Sequence, residues 1–363
     1  MRNTRIILFM VTVILINIGI VMIYSASSIY ALEKLGDSTY FLRRQLLFIF
    51  LGFILAILVM YWDYSVYRKF AKISILISLL LLVLVNIPGI GREVGGARRW
   101  FRLFGFSFQP SEFVFLSLIL YMADFVSRNK ARLRDLFFGF FPPMLILGAF
   151  CLLILIQPDL GSSVALGIVG MIILFMAGVN PKHLGAILLS AVPLLYLVVF
   201  NVPYRRARIM TFLNPWVDPR GSGFQIIQSQ IALGSGGLLG KGLGKSVQKL
   251  FYLPAAHTDF IFSIAGEELG LIGTASIVIL FIIFLWLGFK IVTNARDNFG
   301  RFLALGIVSG IGLKAVINIG VSAGFFPTKG LPLPFISYGG SSLIFDMLAV
   351  GLLLNISRSS CPD

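Results

Sequence analysis

The residue with the clearest chemical potential is Asp259. It closes the stretch 203–261, which opens on Arg205, Arg206 and Arg208 and carries Lys245, Lys249, His257 and Thr258 towards its end. Asp218 and Asp259 are the only acids in that stretch, among a larger number of basic side chains. A carboxylate beside cations can take a proton from a hydroxyl while the cations hold a phosphate. Gln228 and Ser229 add neutral hydrogen-bonding groups midway. A second reading stands beside the first. Asp259 directly precedes an apolar run, where aspartate is a favoured helix N-cap and the helix dipole stabilises an anion. The arginines, likewise, serve equally as lipid-headgroup anchors.

Other chemistries fit less well. Gly244-Lys245-Ser246 has the ending of a nucleotide phosphate loop, but Leu239 stands where that loop needs glycine, and no strand precedes it. His257 with Asp259 suggests a metal pair, yet zinc sites take three or four ligands and the only other histidine, His183, is expected on the opposite face. A Ser-His-Asp hydrolase, which needs its serine on a strained strand-to-helix turn, is set aside. Cys151 lies in an apolar run and Cys361 in the tail, which gives neither a disulfide framework nor a zinc site.

The elements that must carry these residues follow from composition. Of 363 residues, 58% are hydrophobic, 12% are charged and 34 are phenylalanine. Soluble domains carry about 25% charged residues, so the natural solvent of this chain is a bilayer. Apolar runs at 6–24, 45–62, 73–88, 110–126, 136–156, 161–179, 184–202, 262–289, 302–325 and 335–357 predict about ten membrane-spanning helices. The first follows Arg2 and Arg5 and ends near Ser25-Ala26-Ser27, which resembles a signal-peptide cleavage site. Its apolar run exceeds the roughly 7–15 residues of a signal peptide, so it reads as a retained helix. The expected fold is an all-α polytopic integral membrane protein, a single domain over 1–363, with one large extracytoplasmic loop, 203–261, between spans seven and eight. A Gly-rich run within it, Gly234 to Gly244, suggests a mobile flap over a headgroup. Basic residues divide evenly between the two faces. Only with the long loop set aside do they favour cytoplasmic termini. The net charge of +15 sits in loops between apolar runs, which points to anionic lipid or a phosphate-bearing lipid substrate rather than nucleic acid.

Ionisable residues inside apolar runs cost about 2.5–3.5 kcal/mol each to insert and therefore need a reason. They are Glu112, Asp124, Glu267, Glu268, Lys314 and Asp346. Lys314 and Asp346 fall at similar depth in the last two spans, which predicts a buried ion pair; the rival is a proton or ion relay. Glu112 follows Gln109-Pro110-Ser111 and reads as a helix-capping carboxylate. Glu267 and Glu268 lie about 100° apart on a helix and are expected to serve different partners. Gly306-x-x-x-Gly310 and Gly320-x-x-x-Gly324 are close-packing signals.

Taken in order, several motifs resemble the shape, elongation, division and sporulation family of peptidoglycan polymerases, which contains FtsW, RodA and SpoVE. They are Tyr24-Ser25-Ala26-Ser27-Ser28, Gly96-Ala97-Arg98-Arg99-Trp100, Gln109-Pro110-Ser111-Glu112 and Gln157-Pro158-Asp159-Leu160-Gly161. Phe212-Leu213-Asn214-Pro215, Gln228-Ser229-Gln230-Ile231-Ala232 and His257-Thr258-Asp259-Phe260-Ile261-Phe262 follow. Gly266-Glu267-Glu268-Leu269-Gly270 and Pro332-Leu333-Pro334-Phe335-Ile336-Ser337-Tyr338-Gly339-Gly340-Ser341-Ser342 complete the set. The segment 205–270 is more similar to the FtsW and SpoVE branch than to RodA.

The resemblance implies ten spans with both termini inside, an essential aspartate at Asp259, and lipid II (undecaprenyl-pyrophosphate disaccharide-pentapeptide) as substrate. It implies a glycosyltransferase of septal cell-wall synthesis in the bacterial inner membrane. Asp259 would be the general base, and Arg205, Arg206, Arg208, Lys245 and Lys249, with a divalent cation (magnesium or manganese), would hold the pyrophosphate. Gln228, Ser229, His257 and Thr258 would line the substrate site. No organic cofactor is expected. A class B penicillin-binding protein, an FtsI-like transpeptidase, and other division proteins are the implied partners. A lipid II flippase and a non-catalytic division scaffold are the alternatives. Three positions depart from the family pattern: Ala255 where glutamate is common, Phe115 where lysine is common, and Lys314 where glutamine is commoner.

Overall fold

The structure, a computed structural model, describes residues 1–94, 96–103, 106–250, 252–328 and 330–360. Cys361 lies outside the described residues. The chain is helical almost throughout. Its helices are α1 (Arg2–Leu35), α2 (Tyr40–Tyr61), α3 (Ala71–Asn86), α4 (Pro110–Arg128), α5 (Phe141–Ile156) and α6 (Leu160–Met176). After these come α7 (Pro181–Phe200), α8 (Pro203–Leu213), α9 (Phe224–Ser235), α10 (Ile261–Thr293), α11 (Asn298–Ala323) and α12 (Gly340–Ser359). Among the described residues, nine helical stretches are long and apolar enough to cross a membrane, and the tenth apolar run of the sequence forms the shorter α6, of 17 residues. The chain is a multi-pass membrane protein.

Local chemistry sets the helix ends. Asp159 caps α6 by accepting from Ser162 N at 3.1 Å, Asn180 caps α7 ahead of Pro181, and Asp297 caps α11. The helices differ in how they are covered. α11 and α12 are largely enclosed, whereas α2, α3 and α7 present most of their apolar surface outward. Outward leucines and phenylalanines carry no penalty when lipid is the neighbour.

One feature lies outside the helical expectation. Between α3 and α4 the chain forms a three-stranded antiparallel sheet of β1 (Arg92–Val94), β2 (Ala97–Leu103) and β3 (Phe106–Phe108), in that order. Trp100 pairs with Arg92, and Phe101 with Phe108. Phe101 is buried while Arg102 is exposed, the alternation of a half-covered strand. Two of the strands have only three residues, too short for a periodic signal.

The Gly-rich run is not a loose flap. Lys241 N donates to the Glu267 carbonyl (2.9 Å), Gly242 N to that of Glu268 (3.0 Å), and Leu271 N to that of Gly237 (2.9 Å). A side chain at Gly240 would collide with the backbone of Glu268, and α10 itself breaks at Gly270, whose φ is 68°. Glycine on both sides lets the two backbones bond directly. Glu267 holds Lys241 Nζ at 2.7 Å and the backbone N–H groups of Val247 and Gln248. Glu268 holds Lys249 Nζ at 2.8 Å and the Ser25 hydroxyl of α1. The expectation of separate partners fails at Ser246. Its hydroxyl donates to Glu267 and its N–H to Glu268, because the segment wraps across both faces.

The expected pair of the last two spans is present and larger than expected. Lys314 Nζ lies 3.0 Å from Asp346 Oδ1 and 2.7 Å from Glu112 Oε2. All three groups are buried. Glu112 therefore does not cap α4; it ties α4 to α11. Asp124 pairs with none of these three groups; it meets Arg68 and Arg128 at 2.6 Å each near the far end of α4.

Candidate active site

A chain that crosses a bilayer repeatedly brings every second connection to the same end. Here the connections 92–108, 157–159, 203–260 and 324–339 meet. Arg99 of β2 donates through Nε to the Gln157 carbonyl at 2.8 Å and through its other arm to the Pro158 carbonyl. This locks the sheet to the turn that carries Asp159. Arg99, Asp159, Arg205, Arg208, Thr328 and Gly330 then line one cleft. Arg205 reaches the carbonyls of Val198 (3.1 Å) and Leu155 (3.4 Å), which anchors α8 to the ends of α7 and α5. Arg208 Nη1 lies 3.5 Å from the Thr328 carbonyl.

Asp259 stands immediately behind Gly330. A Cβ at position 330 would meet Asp259 Oδ2 at 3.0 Å. The segment bearing it is held through its backbone. Asn318 Nδ2 donates to the Asp259 carbonyl (2.9 Å) and the Leu331 carbonyl (2.8 Å), Ser337 Oγ to the Thr258 carbonyl (2.6 Å), and Tyr338 N to the His257 carbonyl (3.0 Å). The Asp259 carboxylate itself, half-buried, takes no hydrogen bond among the described residues. Burial pushes its pKa up to about 6, with Arg208 and Arg99 pulling it down and Asp159 pushing it further up. The helix-cap reading does not hold. Phe260 is the N-cap of α10, and no side chain caps that end.

The remaining expected site residues divide. Arg205 and Arg208 line the cleft, and Asp259 lies behind its lining residue Gly330; Arg206 is exposed and does not line it. Lys245 is exposed on the Gly-rich run. Lys249, expected at the pyrophosphate, is instead turned inward and paired with Glu268. Gln228 is half-buried, while Ser229 is fully buried and joins three helices, bonding Ser263 Oγ (2.6 Å) and the Ser322 carbonyl (2.8 Å). His257 sits in an aromatic box, 4.5 Å from the Phe41 ring, 5.8 Å from Tyr30 and 5.9 Å from Tyr338. Burial lowers its pKa to about 4, so the ring is neutral near pH 7. The Thr258 hydroxyl bonds the Ala255 carbonyl at 3.1 Å. Gly320-Val321-Ser322-Ala323-Gly324 matches a hydrolase elbow in letters only; all but the last glycine lie within α11 and Ser322 is fully buried.

Arg99, Asp159 and Gly330 carried no assigned role in the sequence. The signal that finds them is topological: all three lie in connections at the end of the bundle that holds Asp259.

Comparison with known proteins decides the family. The model of the FtsW/RodA/SpoVE family, described as "Cell cycle protein", matches residues 5–361. The chain belongs to the FtsW/RodA/SpoVE family. It is 49% identical over 351 residues to the "Probable peptidoglycan glycosyltransferase FtsW" of Geobacter sulfurreducens, covering 97% of this chain and 94% of the relative. It is 46% identical over 356 residues to "Stage V sporulation protein E" of Bacillus subtilis, covering 97% and 96%. Among solved structures, a chain from work on the structural coordination of polymerization and crosslinking by a peptidoglycan synthase complex superposes with a TM-score of 0.79, at 31% identity over 98% of both chains. The Thermus thermophilus Rod shape determining protein RodA superposes at 0.73, with 29% identity over 98% of this chain and 97% of that one.

Two of the three positions expected to depart from the family pattern are neighbours. The Phe115 ring lies 5.2 Å from Lys314 Nζ, so the cation at position 314 reaches Glu112 from the facing helix across an aromatic face. Ala255, the third, is exposed with φ 57° in the turn that leads to Asp259.

Proposed function

We propose that this chain is a peptidoglycan glycosyltransferase that polymerises lipid II, with Asp259 as its general base. The observation that supports it most is a carboxylate on a clamped backbone, with pKa pushed up to about 6 and no hydrogen-bond donor among the described residues, beside a cleft lined by Arg99, Arg205 and Arg208. A base works best when its pKa lies near the working pH. In the proposed step, the 4-hydroxyl oxygen of the acceptor sugar bonds to the anomeric carbon of the growing chain. The bond from that carbon to the lipid pyrophosphate breaks, and the hydroxyl proton passes to Asp259. Glycosidases need a second carboxyl to protonate their leaving group. Pyrophosphate leaves as a stable anion and needs positive charge, which the three arginines supply. Asp159 is already engaged in capping α6, so it orients rather than reacts.

A divalent cation, magnesium or manganese, would be held chiefly by the substrate's own phosphate oxygens. Among the described residues no three histidine, cysteine, aspartate or glutamate side chains converge. The roles of the chain's own residues do not depend on it. The likeness to a chain from a peptidoglycan synthase complex supports a class B penicillin-binding protein as partner, with other division proteins around it. The reading includes the bacterial inner membrane at the division septum, both termini in the cytoplasm and the cleft facing outward. Purified chain with its transpeptidase partner, a divalent cation and labelled lipid II should yield glycan strands. No polymer, with lipid II instead crossing liposome bilayers, would replace this reading with that of a flippase.

A further inference from the structure

The end of the bundle that carries residues 1–5 holds a second cavity, remote from Asp259. Lys290, which lines it, lies about 28 Å along α10 beyond the break at Gly270. Arg2 and Arg5 of α1 and Arg358 of α12 converge on the same space. No acidic side chain lines it among the described residues, and none of these four cations has an ion pair there. Asp63, which follows α2, is occupied by Ser65 N (2.9 Å) and the Ser359 hydroxyl (3.2 Å).

Arg5 has a second role. It stands at the head of an apolar groove that runs between α1, α2 and α12, with Phe9, Val13, Phe53, Ile57 and Val350 among its walls. Phe9, Val13, Phe53 and Ile57 are exposed to the bilayer side. From Arg5 to Ile16, where the groove ends, the helix rises about 16 Å. Half of a hydrocarbon core of about 30 Å is close to that length. A basic cavity and an apolar groove one leaflet deep thus share a single residue.

We propose that the cavity and groove together bind one anionic phospholipid. Arg2, Arg5, Lys290 and Arg358 take the phosphate-bearing headgroup, and the groove takes an acyl chain. The charge pattern selects an anion, since a zwitterionic headgroup would bring its own cation into a cavity lined by four. The groove selects a lipid over free phosphate, because its apolar walls give inorganic phosphate nothing to bind.

Native mass spectrometry of the delipidated full chain in detergent tests this, with dioctanoyl phosphatidylglycerol, dioctanoyl phosphatidylcholine and inorganic phosphate as probes. One phosphatidylglycerol per chain should bind at least tenfold tighter than phosphatidylcholine, and equimolar phosphate should not displace it. Arg5→Gln with Arg358→Gln should bring phosphatidylglycerol down to the phosphatidylcholine level. Ile57→Trp, which fills the groove with all four cations intact, should weaken phosphatidylglycerol by a similar factor. Equal binding of the two lipids by the unaltered chain, a comparison that needs no substitution, would overturn the proposal. So would phosphate competing as an equal, or phosphatidylglycerol binding that survives both variants.

Discussion

Gly330 and Asp259 are in contact such that the missing side chain of one leaves room for the carboxylate of the other, 3.0 Å from where a Cβ would stand. Gly330→Ala should therefore displace the carboxylate by a few tenths of an ångström without touching any helix. Misplacement of a catalytic group by about 1 Å costs up to about 100-fold. A loss of about tenfold in polymerisation, with the melting temperature unchanged, is the expected outcome in paired rate and thermal-melt assays. Unchanged rates would mean that the carboxylate's position does not matter.

The pH dependence separates Asp259 from its neighbour His257. Asp259 is active as the carboxylate, the form present above about pH 6 and lost as pH falls through that value. Polymerisation should drop about tenfold per unit below pH 6. His257 is neutral down to about pH 4 and cannot produce that inflection. The inflection should survive in His257→Phe, which keeps the aromatic box, and a pH–rate profile in which it disappears would transfer the role of base to His257.

Lys249 offers a stability test rather than a binding one. Its ammonium and the Glu268 carboxylate are 3% and 0% exposed. Lys249→Met leaves a buried carboxylate without its cation, a loss of about 3–5 kcal/mol. Adding Glu268→Gln should recover much of it in chemical denaturation. If Lys249→Met instead raised only the apparent KM for lipid II, the phosphate-binding role would be restored.

Much of this was legible in one dimension, for reasons that differ by residue. The apolar runs appear because each spanning helix must be apolar around its whole circumference. Lys314 with Asp346 was legible because both count to a similar depth along their spans. Glu112 was not, since its position in the first turn of α4 reads equally as a cap. Lys249 misled because a lysine in a basic loop looks solvated until the glycine backbone at 240 and 242 is seen lying directly on α10. Asp159 and Arg99 stayed silent because only the crossing pattern, not local spacing, gathers them around Asp259.

The Glu112–Lys314–Asp346 triad holds α4, α11 and α12 together, with two acids against one base. Lys314→Met should destabilise by about 3–5 kcal/mol, since it strands both carboxylates in a buried site. Asp346→Asn should cost less, because Lys314 keeps Glu112 at 2.7 Å. Combining Lys314→Met with Glu112→Gln and Asp346→Leu should recover stability relative to Lys314→Met alone. Strictly additive losses in that cycle would show that the three groups do not interact.

The central claim is that Asp259 is a base and not a cap. Its carboxyl is pushed above its ordinary value of 3.8, so the folded state holds more protons than the unfolded state between pH 3.8 and about 6. Stability therefore falls as pH rises through that window, and above it the charged carboxylate is a net cost to the fold. Asp259→Asn removes both the base and that cost. Rate and melting temperature should be measured together at pH 7.5 on purified wild type and Asp259→Asn with lipid II. The expected result is a rate at least about 100-fold lower, with equal or higher thermal stability. Wild-type polymerisation by the Asn variant would contradict the account.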